Sequence, residues 1–156
     1  MKLRIVALGH RMPAWVAAGY AEYAKRLSHE YALELVEVKA ATRAAGAAQI
    51  LAAEATRIRA ACTGFTMIAL DERGAAWTTH QLAQRLQKWR DAALDVSFVI
   101  GSADGLDAAL KRDASALVAL SALTLPHGLA RVVLVEQLYR AASILDGHPY
   151  HRDSLS

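Results

Sequence analysis

The chain lacks most of the signatures that would assign it quickly. It has a single cysteine, Cys62, so no internal disulfide can form; a buried, idle thiol in a reducing compartment is expected. No apolar run approaches the roughly 18 residues of a membrane span. The opening MKLRIVALGH carries Lys2 and Arg4, but its apolar part is too short for a signal sequence. There is no internal repeat and no linker. The net charge of +3 is small; it tolerates RNA as a partner without requiring it. A soluble, cytoplasmic protein is expected, with neither a membrane nor DNA as partner.

The standard nucleotide motifs are also missing. The first apolar run leads into Gly9-His10-Arg11-Met12-Pro13, not the G-x-G-x-x-G of a dinucleotide fold. No Walker A sequence and no G-x-S-x-G elbow occur, which argues against a P-loop NTPase and a serine hydrolase. His10, His29, His80 and His127 are scattered, and His148 and His151 form only a pair, so four converging zinc ligands are not in view. No metal is expected.

What the chain does have is an alternation of strands and helices. At 156 residues, 54% of them hydrophobic and 21% charged, it can bury the core of one globular domain. Leu3 to Leu8, Thr66 to Leu70, Val96 to Ile100 and Ala116 to Leu120 are short apolar runs, read as buried strands. Leu33 to Val38 alternates apolar and acidic residues, as a strand with one more exposed face does. Helical spacing covers Ala14 to Ser28 with Pro13 at its first position, Gln49 to Ala61, a segment capped by Thr78 or Thr79 with Leu82, Leu86 and Trp89 inward, Asp107 to Asp113, and Leu129 to Leu145. Lys39 to Gly46, with Arg43, reads as a solvated loop, or alternatively as a basic arm for phosphate. Asp71 to Gly74 is a turn signal.

This pattern predicts one α/β domain, a parallel-type sheet with helices on both faces. Ligands of such sheets lie beyond the carboxyl ends of the strands. Three of those ends, Leu70-Asp71, Gly101 to Gly105 and Leu120 to Gly128, carry small or special residues, and neighbouring strands would merge them into one pocket. The last quarter of the chain gathers proton-handling and cationic groups: Glu136, Arg140, Tyr150, His151 and Arg152, with Arg131 nearer the helix start. Glu136 and Arg140 are four apart, the spacing of an ordinary surface ion pair.

Several segments carry a resemblance. Leu120-Ser121-Ala122-Leu123-Thr124-Leu125-Pro126-His127 is followed by Leu129, Arg131, Glu136-x-Leu138-Tyr139-Arg140-Ala141 and His148-Pro149-Tyr150-His151-Arg152. With the opening Met1-Lys2-Leu3, Val6-Ala7, Gly9, Met12-Pro13 and Trp15, and with Leu70-Asp71 and Trp77, these closely resemble the RlmH family. Its members are small SPOUT-class methyltransferases of the bacterial large ribosomal subunit. The resemblance spans nearly the whole chain and departs at Ser102, where many relatives have a second glycine, and at Gly128, where a proline often follows the histidine.

The resemblance implies a C-terminal trefoil knot, which nothing in periodicity reveals and the general rarity of knots disfavours. It implies a homodimer that transfers methyl from S-adenosylmethionine to N3 of a pseudouridine in 23S rRNA within the ribosome. The donor would sit against Leu70, Gly101, Leu120, Ser121, Ala122, Leu123, Thr124 and Leu125. The chemistry would fall to Arg140 and Arg152 as stabilisers of anionic oxygens, His151 or Glu136 as proton acceptor, and Tyr150 as a stacking or hydrogen-bonding group. Helix and tail are expected to share one composite site across a dimer. The rival readings are a non-catalytic ribosome-binding or assembly module and a flavodoxin-like enzyme.

Overall fold

The computed structural model describes residues 1–9, 11–27, 29–42 and 46–155. His10, Arg43 and the end of the first expected helix, Ser28, lie outside them. Five strands form one sheet in the order β2-β1-β4-β3-β5. They are β1 (Lys2–Leu8), β2 (Ala32–Val38), β3 (Thr66–Ala75), β4 (Val96–Ile100) and β5 (Ala116–Val118). Every pairing is parallel, with Leu3 opposite both Leu33 and Val96, and Thr66 opposite Val96.

Side chains alternate across this sheet, so one strand feeds two cores. Leu3, Ile5 and Ala7 of β1 join Val96, Phe98 and Ile100 of β4 on one face. That face is covered by α1 (Ala14–Ala24), α3 (Thr79–Asp91) and α5 (His127–Leu145), which contribute Tyr20 and Tyr23, Leu82 and Leu86, and Leu134 and Leu138. Val6, Leu8, Ala69 and Val99 face the other way, against Ala55 and Ile58 of α2 (Ala47–Ala61) and Leu110 of α4 (Ala108–Asp113). All five β4 positions are buried, which is why its sequence VSFVI shows no alternation; β2 lies at the edge and does alternate. Cys62 is buried at the end of α2, and burial pushes its thiol pKa up.

Several boundaries differ from the sequence reading, each for a local reason. Pro13 is the N-cap of α1 rather than its first residue. Thr78, not Thr79, caps α3; its hydroxyl accepts from Gln81 N–H while the Gln81 side chain accepts from Thr78 N–H, a reciprocal box. α5 begins at His127, directly after the N-cap Pro126. β5 ends at Val118, two residues early. The tail is a 3-10 turn, Pro149–Leu155, packed on α5.

The turn expected at Asp71 to Gly74 lies inside β3. Val118 pairs with both Leu70 and Ala75, and Ala119 N–H donates to Ala75 O at 3.0 Å. The four intervening residues therefore bulge over the chain at Leu117 and Val118. A Cβ on Gly74 would lie 2.5 Å from Val118 N, so only glycine permits this crossing.

Candidate active site

The ends of β3, β4 and β5 open into a cavity of about 820 Å³. Its walls are the β3 bulge, the Gly101 to Leu106 turn and the loop from Leu120 to His127. Of the positions expected to hold the donor, Leu70, Gly101, Leu120, Ser121, Leu123, Thr124 and Leu125 line it. Ala122 is not among the lining residues and points to solvent.

Local chemistry shapes each wall. The Ser121 hydroxyl accepts from Leu123 N–H at 2.9 Å and turns the loop. Gly101 has no room for a side chain: a Cβ there would lie 2.7 Å from Gly105 O and 2.9 Å from the Leu106 side chain. Ser102 and Gly105 close the turn through Gly105 N–H to Ser102 O at 2.9 Å, with Gly105 at φ +83. Ser102 is thus accommodated in a tight turn.

The rim carries charges to which the sequence reading assigned no role. Asp71, Glu72, Arg73, Asp104 and Lys111 all line the cavity. Asp71 accepts from Arg73 N–H at 2.8 Å and from Lys111 Nζ at 3.0 Å, and these partners hold its carboxyl below the usual carboxylate range. Thr124 donates to Glu72 across the mouth at 3.3 Å. Apolar walls, small residues, available backbone and a partly acidic rim suit a nucleoside that bears a sulfonium cation, and the volume lies within the range of small-molecule sites.

At the start of α5, His127 lines the same cavity; its Nδ1 lies 2.8 Å from Gly101 O, and Nε2 accepts from Arg131 Nε at 3.0 Å. Burial, with Arg131 beside it, pushes the imidazole pKa down. Folding therefore keeps the ring neutral, whereas an unfolded chain takes up a proton below about pH 6.5. The unfolded state then binds more protons, so stability falls as pH drops through that value. Urea unfolding at pH 7.5 and 5.5 should show this loss, and H127N should remove it. Asp71, with its lowered pKa, adds a second loss in the carboxylate range.

A second cluster forms near the other end of α5. Glu136 Oε1 accepts from Arg140 Nη2 at 2.6 Å and from the Tyr150 hydroxyl at 3.0 Å, while Gln137 donates to Oε2 at 2.7 Å. Arg140 lies 4.6 Å from the centre of the Tyr150 ring, which also packs on Tyr139. The Glu136–Arg140 pair is only 15% exposed on each side, so it is no ordinary surface pair. Burial and the neighbouring carboxylate push Tyr150 up to about 12, keeping it a phenol that donates. His151 stacks edge-on against His80 at 4.9 Å, and Arg152 is exposed.

The tail thus joins the helix, but the two clusters of one chain do not meet. None of Glu136, Arg140, Tyr150, His151 and Arg152 lines the cavity. Glu136 and Arg140 lie about 13 and 20 Å along the α5 axis from His127 at 1.5 Å per residue. Among the described residues no group of three or more His, Cys, Asp or Glu could hold a metal ion, and no helix is long and apolar enough to cross a membrane.

This arrangement has counterparts among known proteins. The profile of the family described as "Predicted SPOUT methyltransferase" matches residues 1–151. The chain belongs to the SPOUT methyltransferase family. Proteins named "Ribosomal RNA large subunit methyltransferase H" are 54% identical in Burkholderia multivorans and 56% in Burkholderia thailandensis. Each match covers 97% of this chain and 99% of the relative. A crystal structure titled "Probable Methyltransferase", from Bordetella pertussis Tohama I, superposes with a TM-score of 0.59 at 16% identity, covering 90% of this chain and 95% of that one. At that identity the likeness concerns the fold. The parallel sheet with helices on both faces is accordingly a SPOUT fold, and the family membership makes S-adenosylmethionine the general expectation for the donor.

Proposed function

We propose that the protein is an S-adenosylmethionine-dependent methyltransferase that methylates N3 of a pseudouridine in 23S rRNA on the ribosome. The observation that carries this reading is the cavity at the ends of β3, β4 and β5, walled by seven of the expected donor-contacting residues. Near-full-length identity above one half to proteins named for large-subunit rRNA methylation supports the substrate.

The bound donor supplies an electrophilic methyl carbon. The chain's residues must hold the acceptor nitrogen in line with it and remove that nitrogen's proton. Arg140 and Arg152 stabilise the charge that spreads onto the flanking carbonyl oxygens. Glu136 already accepts from Arg140, Tyr150 and Gln137. It orients them, and His151 is the better proton acceptor. Tyr150 stacks on or bonds to the unstacked base.

Reacting atoms must approach to about 3–3.5 Å, a condition that the tail of one chain does not meet at its own cavity. A homodimer in which one subunit's tail completes the partner's cavity removes the difficulty. α1 offers an apolar surface for it: Trp15 is 58% exposed, beside exposed Ala14, Ala17, Ala18 and Ala21. Trp15→Glu should yield monomers in gel filtration with light scattering, and transfer should fall with the dimer fraction. The family resemblance implies, in addition, a knotted C-terminal region.

The testing experiment is transfer of labelled methyl to ribosomes lacking the modification, followed by nucleoside mass spectrometry of the 23S rRNA. A single N3-methylpseudouridine is expected. With a charge of only +3, phosphate contacts alone bind weakly, so naked rRNA should be a poor substrate. Equal activity on naked RNA would contradict the ribosomal setting; donor binding without transfer would point to a changed substrate, and neither binding nor transfer would favour a non-catalytic ribosome-binding module.

A further inference from the structure

Arg131 is 2% exposed, and no other lysine or arginine among the described residues is as buried. It uses its fork in three directions. Nε donates to His127 Nε2 at 3.0 Å, Nη1 to Glu37 at 2.9 Å, and Nη2 to Gly9 O at 3.1 Å. A guanidinium has no acceptor, so His127 Nε2 must present its lone pair and the ring proton must sit on Nδ1. That proton is donated to Gly101 O at 2.8 Å. One hydrogen-bonded chain therefore runs from Glu37 on β2, past Gly9 after β1, through the first turns of α5, to the peptide that follows β4.

Stability alone does not explain this chain. A buried cation loses its hydration, and a packed apolar replacement often serves folding as well. What the network adds is orientation. A peptide is planar, so pinning the Gly101 carbonyl also sets the direction of the Ser102 N–H. The turn that follows has no slack, since Gly101 excludes even a methyl group.

We propose that His127 and Arg131 are positioning residues, which clamp the Gly101 carbonyl and thereby hold the Gly101 to Leu106 wall of the cavity ready for the methyl donor. This rests on the reading of that cavity as the donor site. The clamp acts through Gly101, so its two arms can be separated by substitution. Asparagine at 127 keeps an N–H near the Nδ1 position, toward Gly101. Glutamine instead replaces the ring's outer nitrogen, toward Arg131.

The experiment is calorimetric titration of S-adenosylmethionine into the wild type and H127A, H127N and H127Q, with amide hydrogen exchange of residues 102–106 in the ligand-free proteins. H127A should weaken donor binding about tenfold, the scale of one buried hydrogen bond. It should speed exchange in the turn while the centres of β1 and β4 keep their protection. H127N should restore most of both losses and H127Q neither. Unchanged affinity and exchange in H127A, or rescue by glutamine alone, would overturn the clamp. A wild type that binds no donor would instead overturn the reading of the cavity, whatever the exchange shows, and the clamp's proposed purpose with it.

Discussion

A chain ended after Gly147 is expected to bind S-adenosylmethionine with the wild-type affinity and to transfer almost no methyl. The cavity draws its walls from residues no later than Ala130, so the deletion leaves them intact. The tail supplies Tyr150, whose hydroxyl bonds Glu136 and whose ring covers Arg140. It also supplies His151 and Arg152. Their loss removes the proposed proton acceptor, one of the two cations proposed to meet the developing charge, and the ring and hydroxyl that pack on the Glu136–Arg140 pair. Losses of single donors of this kind cost about 10²–10³-fold in turnover, so the joint deletion should exceed about 10³-fold. Calorimetry for the donor and a methyl-transfer assay on ribosomes separate the two effects. Full activity in the truncated protein would sink the composite site.

Two inactive chains are expected to rescue one another when mixed. Gly101→Val places a branched side chain where even a Cβ meets Gly105 O at 2.7 Å, so that chain should lose the donor and keep its tail. The truncated chain keeps the cavity and lacks the tail. In a homodimer with shared sites, refolding an equal mixture makes half of the dimers mixed, and each has one complete site; activity should recover to about a quarter of wild type. Either chain alone should stay inactive. No recovery, with mixed dimers demonstrated by mass spectrometry, would mean that each cavity is served by its own subunit's tail after a conformational change.

Much of the fold is legible in short-range pattern. The apolar runs at Leu3 to Leu8 and Val96 to Ile100 become buried strands, and the alternating LELVEV becomes the edge strand β2. The boundaries that shift are those where long-range contacts act. β3 continues to Ala75 because Val118 pairs with it twice, and nothing near Asp71 to Gly74 announces a second partner 40-odd residues away. The Glu136–Arg140 spacing is the same for a surface pair and for a shielded one; only the tail folding back with Tyr150 distinguishes them.

The chain's own pattern establishes an α/β parallel sheet, the three small-residue strand ends and the polar C-terminal quarter. Periodicity records which face of each element is buried, and turn chemistry is local. Tertiary structure decides the rest. It sets the strand order that merges three loops into one cavity, the distance along α5 that separates cavity from tail, and the path by which Arg131 ties Glu37 to His127 and so to Gly101. These depend on which element packs against which. Residues 37, 101 and 131 meet only after the whole sheet has assembled, and no window of sequence contains that encounter.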